Sequence, residues 1–381
     1  MPFDPEECTF LIPGPVAMHP RVLRAMGKPV LSHRSGEFQK LLGSFKEDLK
    51  KLFQTKGDVA VLTGSGTAGM EAAIAASLKR GESIVALDNG KFGNRFVSLG
   101  KMYGTVTPVT VPWGQPFDLA QVERAMAQAK PKVVAFVLNE TSAGMLNEGK
   151  EICRVAKQHG ATVIMDAITA VGGMQVPIDE WGVDFTIVGS QKCIAGPTGL
   201  AFVSVSPEAR PKLLKGQSYY LDLQKHLDKL AENETPYTPA VPLFLGCAEA
   251  VKMVHEEGLA NRIKRHAKLA EASQKAARAL GLELYPDPRH SSPTCTAIRY
   301  PPGIGDKEVR TPMKDKFGVV VAGGQEPEAK GKILRIGHMG NVSFRELAAC
   351  FTALEGALAK TSFKFQRGAG VGAVADVAGS G

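Results

Sequence analysis

The sequence predicts an α/β protein, with a large domain built on a parallel sheet and a smaller α+β domain after it. Three observations predict this. Short apolar, β-branched runs alternate with helix-period patterns from residue 58 to 205, the rhythm of strand–helix–strand units. A glycine loop, Gly64-Ser-Gly-Thr-Ala-Gly69, follows one such run and opens a strongly helical stretch. Beyond a long helical region at 243–280 the strand-like runs are shorter and a last helix closes the chain.

Taken in order, Leu11-Ile-Pro-Gly-Pro15 is neither helix nor central strand, because two prolines flank a glycine. It reads as an extended arm. A short helix is expected from His19-Pro20 to about Met26. Phe38, Leu41, Leu42, Phe45, Leu49, Leu52 and Phe53 then recur at 3–4 spacing, which is one face of an amphipathic helix.

Strands follow at 58–63, 83–88, 105–111, 132–138 and 162–165. The run Asp184-Phe-Thr-Ile-Val188 is another, stopping at Gly189 with Lys192 three residues beyond. Asp118 caps an intervening helix, and the helix over about 148–159 stops at Gly160. Residues 211–245, with Tyr219-Tyr220, Pro236, Pro239 and Pro242, read as a long irregular loop lining a site or a subunit contact. Strands at 296–300, 319–321 and 333–336 and a helix at 344–358 make the smaller domain. Residues 366–381, Gly/Ala-rich with few large side chains, read as a disordered tail.

Composition bounds the function. With 381 residues, 44% of them hydrophobic and 22% charged, the chain is an ordinary globular protein. Its net charge of +8 is spread along the sequence, without the dense basic run interleaved with aromatics that nucleic-acid binding favours. The six cysteines form no C-x-x-C pair and stand beside no histidine cluster, so no metal is expected and a reducing, cytoplasmic setting is. The acidic start lacks the apolar segment of a signal peptide, and no run approaches the ~20 residues of a membrane span.

The chemistry-bearing residues share one placement: each follows a strand. In a parallel sheet ligands bind beyond the carboxyl ends of the strands. Thr63–Thr67, Asn89–Phe92, Glu140–Ser142, Asp166 and Gln191–Lys192 would therefore gather on one edge. The glycine loop matches G-x-G-x-x-G, with Asp88 ending the next strand, so it fits a dinucleotide fingerprint. It fits equally a simpler phosphate cradle of helix N–H groups and the Ser65 and Thr67 hydroxyls.

The rest of the set favours pyridoxal phosphate. Its ring nitrogen needs a buried carboxylate, which Asp166 offers. Its aldehyde needs an amine of lowered pKa, which Lys192 offers. Phe92 offers a flat face for the ring, Thr141 or Ser142 a donor for the phenolic oxygen, and Arg335 a clamp for a substrate carboxylate. In isolation, Lys192 also reads as a solvated strand cap, Asp166 as a helix N-cap and Arg335 as a surface arginine.

In this order the residues resemble the class V pyridoxal-phosphate aminotransferases, closest to the alanine–glyoxylate / serine–pyruvate group. The resemblance runs from about Phe10 to Leu358. It rests on Pro13-Gly-Pro15, Ser65-Gly-Thr67, Glu140-Thr-Ser-Ala-Gly144, Asp166-Ala, Gly189-Ser-Gln-Lys192 and Leu334-Arg-Ile-Gly-His-Met-Gly340. It implies fold type I, with a mainly parallel seven-stranded sheet in the large domain.

The resemblance also implies roles. Lys192 is the Schiff-base lysine and Asp166 the partner of the pyridine nitrogen. Ser65, Gly66, Thr67 and Gln191 hold the phosphate, Phe92 stacks on the ring and Thr141 faces the phenolic oxygen. Arg335 and Gly14 meet the substrate, and Tyr237 and Thr238 reach the cofactor phosphate of a homodimer partner. Phe92 stands where many members have tryptophan, and Thr67 where some have histidine.

The expected division is an arm over 1–18 touching the site, a large domain over 19–250, a small one over 251–362 and the tail over 363–381. The expected reaction moves an amino group from alanine or serine to glyoxylate or pyruvate in two half-reactions. Aspartate or broad specificity is the alternative. More remote readings are a cysteine desulfurase, an NAD-dependent dehydrogenase and a non-catalytic subunit of a larger complex.

Overall fold

The computed structural model describes Asp4 and residues 6–380. Residues 1–3 and 5 of the expected arm, and residue 381 of the expected tail, lie outside the described residues. The chain opens with β1 (Thr9–Leu11), α1 (Pro20–Met26), α2 (Gly36–Phe53), β2 (Asp58–Thr63), α3 (Gly66–Ser77), β3 (Ser83–Asp88) and α4 (Lys91–Tyr103). It continues through β4 (Thr105–Thr110), α5 (Leu119–Ala129), β5 (Val133–Val137), the small hairpin of β6 (Asn139–Glu140) and β7 (Met145–Leu146), α6 (Gly149–Gln158), β8 (Thr162–Asp166), β9 (Phe185–Gly189) and β10 (Leu200–Val205). Then come α7 (Leu223–Ala231), α8 (Val241–Glu257) and α9 (Leu259–Ala279). The last part holds β11 (Cys295–Arg299), α10 (Arg310–Phe317), β12 (Val319–Gly323), α11 (Glu326–Ala329), β13 (Ile333–Gly337), α12 (Phe344–Leu358) and α13 (Ala369–Gly379).

Seven strands form one sheet in the order β2-β10-β9-β8-β5-β3-β4. β9, β8, β5, β3 and β4 run parallel, and β10 is antiparallel to both its neighbours, so the sheet is mixed but mainly parallel. Val133–Val137 and Phe185–Gly189 are buried at every position, as strands covered by helices on both faces must be. α2 is amphipathic as the spacing predicts. Its Phe45 meets Phe202 of β10 edge-on at 5.8 Å and Phe244 of α8 at 6.3 Å, inside the larger of two cores.

The smaller sheet has the order β1-β12-β13-β11. The N-terminal arm therefore ends as an edge strand: Thr9–Leu11 pairs in parallel with Val319–Val321, more than 300 residues away in sequence. That pairing brings residues 12–16 across the mouth of the large sheet.

Two sequence expectations are corrected. The segment 211–245 is not irregular throughout, because Leu223–Ala231 is a helix capped by the Asp222 side chain, with Leu223, His226, Leu227 and Leu230 buried. Those four residues stand at helical spacing, but the surrounding prolines masked the pattern. The tail is not disordered over its length either. Ala369–Gly379 is a helix that buries Gly370, Val374 and Val377 and packs on α9 and α12. Glu355 of α12 accepts the N–H groups of Gly368, Gly370 and Val371, placing a carboxylate at the new helix's positive end. Small side chains, which look like a linker by composition, here allow close helix–helix approach.

Candidate active site

The carboxyl edge of the large sheet holds a cavity of about 120 Å³. Its wall contains Ser65, Gly66 and Thr67 from the turn after β2, Phe92 from the first turn of α4 and Thr141 from the β6–β7 hairpin. Asp166 from the end of β8 and Gln191 and Lys192 from the loop after β9 complete it. Eight of the residues singled out by sequence thus share one space, although they span 128 positions from Ser65 to Lys192.

Ser65 is the N-cap of α3, yet its side chain makes no capping bond. The first N–H groups of this helix are left for another acceptor, and the dipole there favours an anion. The turn sits tightly on the loop after β8, since a Cβ added at Gly66 would lie 2.4 Å from Ile168 Cδ1. Gln191 presents a buried Oε1 with no hydrogen-bond partner.

Asp166 is only 3% exposed, and its Oδ1 accepts the Ile168 N–H at 2.8 Å. Burial pushes its carboxyl up to about 7; the neighbouring Glu140 adds to the rise, while the Ile168 bond and the charges of Arg95 and Lys192 oppose it. Lys192 Nζ donates to the Pro13 carbonyl at 2.5 Å. Burial lowers its pKa to about 8, against the pull of Asp166. A buried acid and a buried amine, each displaced toward its neutral form, thus face one cavity.

The arm meets this amine directly. Gly14 has φ +90°, a left-handed conformation that disfavours side chains, and a Cβ there would lie 2.3 Å from Lys192 Cδ. A side chain at this position would strain the backbone and push the lysine amine from its place.

Arg335 lies outside the cavity wall. It is 5% exposed and directs Nε and Nη2 to the Gly323 carbonyl (2.9 and 2.8 Å) and Nη1 to the carbonyl of Thr141 (2.9 Å). Three of its N–H groups are so engaged, which leaves two of the five a guanidinium carries. It has no carboxylate partner among the described residues. Tyr237 and Thr238 are also elsewhere. Tyr237 donates its hydroxyl to the Tyr219 carbonyl and stacks on Tyr220 at 5.2 Å, while Thr238 is exposed. Ser142 is occupied, accepting from the Lys91 N–H and donating to Glu140.

Sequence reasoning missed Arg95, and placed Glu140 at the site edge without giving it a role. Arg95 lines the cavity, donates to Thr67 Oγ1 at 2.9 Å and lies 5.0 Å from the centre of the Phe92 ring. It stands three residues after Phe92, on the same helical face, and that spacing was its available signal. Glu140, fully buried, accepts the Phe92 and Gly93 N–H groups and both donors of Ser142, tying the start of α4 to the hairpin. Burial raises its pKa while these bonds hold it down. A larger open cleft of about 1170 Å³ runs outside, past Lys91, Trp113, Tyr285 and Glu326, and shares Arg95 with the cavity.

Among the described residues no group of three or more His, Cys, Asp and Glu could hold a metal ion, and no helix is long and apolar enough to cross a membrane.

Residues 21–345 match the family described as Aminotransferase class-V. The chain is 40% identical over 380 residues to a protein of Synechococcus sp. named "Soluble hydrogenase, small subunit", covering 98% of each. Among solved structures it is similar to the ureidoglycine–glyoxylate aminotransferase of Bacillus subtilis, with a TM-score of 0.91 and 31% identity over 98% of both chains. It is also similar to the pyridoxamine–pyruvate aminotransferase of Mesorhizobium loti, with a TM-score of 0.94 and 28% identity over all of both chains. The amine, the buried acid and the uncapped helix start gathered at one sheet edge are thus those of a chain that belongs to the class V aminotransferases, a family dependent on pyridoxal phosphate and closely related to the alanine– and serine–glyoxylate enzymes.

Proposed function

We propose that the protein transfers an amino group from alanine or serine to glyoxylate or pyruvate. The observation that carries the reading is the single cavity in which Lys192 and Asp166 face the uncapped start of α3. The residues present fit pyridoxal phosphate. The free N–H groups of α3, with the Ser65 and Thr67 hydroxyls and the Gln191 amide, suit its phosphate. Phe92 suits its ring face, Asp166 its ring nitrogen and Thr141 its phenolic oxygen. When bound there, the cofactor supplies an electrophilic aldehyde and a ring able to accept the electron pair of a broken Cα–H bond.

The remaining work falls to the protein's own side chains. Lys192, with a pKa near 8, is partly uncharged at neutral pH and so can attack a carbonyl and carry a proton on Nζ. Asp166, as a carboxylate, holds a ring N–H and keeps its charge in place. Arg335 offers its two free N–H groups to the substrate carboxylate and so fixes the Cα–H direction. Glyoxylate and pyruvate as acceptors draw support from the names of the two structural relatives.

Aspartate is the runner-up. Its second carboxylate needs a second cation, and Arg95 is the one cation of the cavity wall besides Lys192. The desulfurase reading needs a mobile cysteine beside the amine, and Cys295 is not one. Cys295 opens β11, is fully buried, and burial pushes its thiol up to about 12.

A matrix of amino donors against oxo-acid acceptors, followed at the absorbance of the bound cofactor, tests the proposal. Alanine or serine with glyoxylate or pyruvate is expected to give the highest kcat/KM; aspartate ahead by tenfold would transfer the assignment to the alternative. Arg335→Ala is expected to raise KM for carboxylate substrates by roughly 10- to 100-fold with a much smaller change in kcat, since charge-assisted hydrogen bonds are each worth about 1.5–3 kcal/mol. An unchanged KM means that another residue holds the carboxylate.

We also propose a homodimer in which Tyr237 and Thr238 of one subunit reach the cofactor phosphate of the other. The aromatic cluster of Tyr219, Tyr220 and Tyr237 supports it, with Tyr219 77% and Tyr220 43% exposed in the single chain. The name of the Synechococcus relative favours a second reading, membership of a larger complex. Stoichiometric co-purified partners without transaminase activity would establish that reading instead.

A further inference from the structure

We propose that Arg262, on the first turn of α9, is a positioning residue that holds the Lys192 loop in its working shape. The inference rests on the reading of Lys192 as the reacting amine.

Arg262 is 3% exposed and points its guanidinium away from solvent toward the loop. Nη2 and Nε both donate to one acceptor, the Cys193 carbonyl, at 2.6 and 3.3 Å. Cys193 is the residue after Lys192. A buried arginine directed at a main-chain carbonyl is destabilising unless partners offset the desolvation of the cation. Here the compensation is Glu257, which accepts Nη1 at 2.6 Å and is shared with Arg265.

The loop it grips needs holding. Ala195 has φ +59°, a left-handed conformation that a non-glycine residue adopts only at a cost. The loop is closed by the Ala195 N–H to the Lys192 carbonyl at 2.9 Å and the Gly196 N–H to the Ser190 carbonyl at 2.8 Å. Such a turn persists only where its surroundings over-determine it, and the Cys193 carbonyl is the point at which α9 does so. On the other side Arg265 donates to the carbonyls of Gly340 and Val342, and neutral His266 accepts the Gly340 N–H at 2.9 Å. Gly340 in turn packs against Ala195 and the Lys192 carbonyl. One helical turn therefore fixes both the lysine loop and the 337–342 segment that follows Arg335.

The test separates grip from charge. The groups that act on Lys192 are Asp166, Arg335 and the thiols of Cys193 and Cys295, while Arg262 itself faces Glu257, Arg265 and Cys193. Apo protein is labelled with pyridoxal and sodium borohydride across a pH series, and the Lys192 peptide is quantified by mass spectrometry. In the unaltered protein half-maximal labelling is expected near pH 8. In Arg262→Met a loosened loop lets the ammonium reach water, so the midpoint is expected to rise by about one pH unit. Turnover of the holoenzyme is expected to fall at least about tenfold.

Arg262→Lys keeps the charge but loses the two-pronged grip, and is expected to shift the midpoint the same way by a smaller amount. It also carries the test if the methionine variant does not fold. An unmoved midpoint with unchanged turnover in Arg262→Lys overturns the proposal. So does a shift in Arg262→Met that is absent from Arg262→Lys, which marks a through-space charge effect. If Lys192→Ala keeps both colour and activity, the underlying reading fails; if it loses both while the Arg262 variants behave as the parent, only the present inference fails.

Discussion

Lys192→Ala is expected to remove the visible absorbance that depends on the lysine amine, leaving only that of unattached cofactor, and to lower turnover by at least about 10³-fold. Both losses have one origin. Lys192 Nζ is the amine held in the cavity, and its neighbour there is a carbonyl oxygen, Pro13 O, with no second amine on the wall. Arg95 does not substitute, because a guanidinium stays protonated and is occupied by Thr67 and the Phe92 ring. The variant should fold normally. Removing a buried amine relieves a desolvation cost, and the Gly14 turn loses a neighbour without gaining a clash. Absorbance and rate, read on the same preparation with circular dichroism to establish folding, decide the matter: a coloured, active variant would remove the basis of the assignment.

Asp166→Asn is expected to reduce turnover by about 10²–10⁴-fold and to change how the apo protein responds to pH. The amide is nearly isosteric but cannot carry the negative charge that holds a cationic ring nitrogen. The pH effect follows from burial. The folded-state pKa, about 7, lies above the unfolded value of about 3.9, so the folded protein binds the proton more tightly. The stabilising contribution is then fully present below about pH 4 and is lost as pH rises through 7, by up to about 4 kcal/mol. Buried, neutral His266 and His338 act in the opposite sense, favouring the folded state at pH 8, so the Asp166 contribution is read as a difference: relative to Asp166→Asn, the urea midpoint of the parent apo protein should fall between pH 5 and pH 8. Identical pH dependence in the two proteins would show that this carboxyl is not the buried acid described.

Much of the site was legible before any coordinates. Strand ends are readable from β-branched apolar runs, and in a parallel sheet the carboxyl ends lie on one edge, so Ser65–Thr67, Asp166 and Lys192 could be assigned to a common place without knowing any distance. Phe92 and Thr141 followed the same rule. Arg95 and Glu140 were not assigned roles because theirs are contact roles: an arginine on an exposed-looking helix start and a glutamate in a loop acquire meaning only through Thr67, Phe92 and the N–H groups they meet. Helix α7 is readable in its Leu223–Leu227–Leu230 spacing, but that spacing lies among prolines and glycines that signal a loop. Helix α13 was not readable, because alanine, glycine and valine at those positions fit a linker equally well until Glu355 and α9 supply the partners.

The sequence by itself determined the alternation of strands and helices, the glycine turn before α3 and the identity of the amine and acid, because these depend on local periodicity and side-chain chemistry. Tertiary structure alone decided that Thr9–Leu11 joins the C-terminal sheet and carries Gly14 onto Lys192, that Arg335 stands behind Thr141, and that Arg262 grips the carbonyl beside the lysine. Each of those is a contact between residues separated by 69 to more than 300 positions. No local pattern encodes such a contact, since it exists only once the chain has buried enough apolar surface to hold both partners in place.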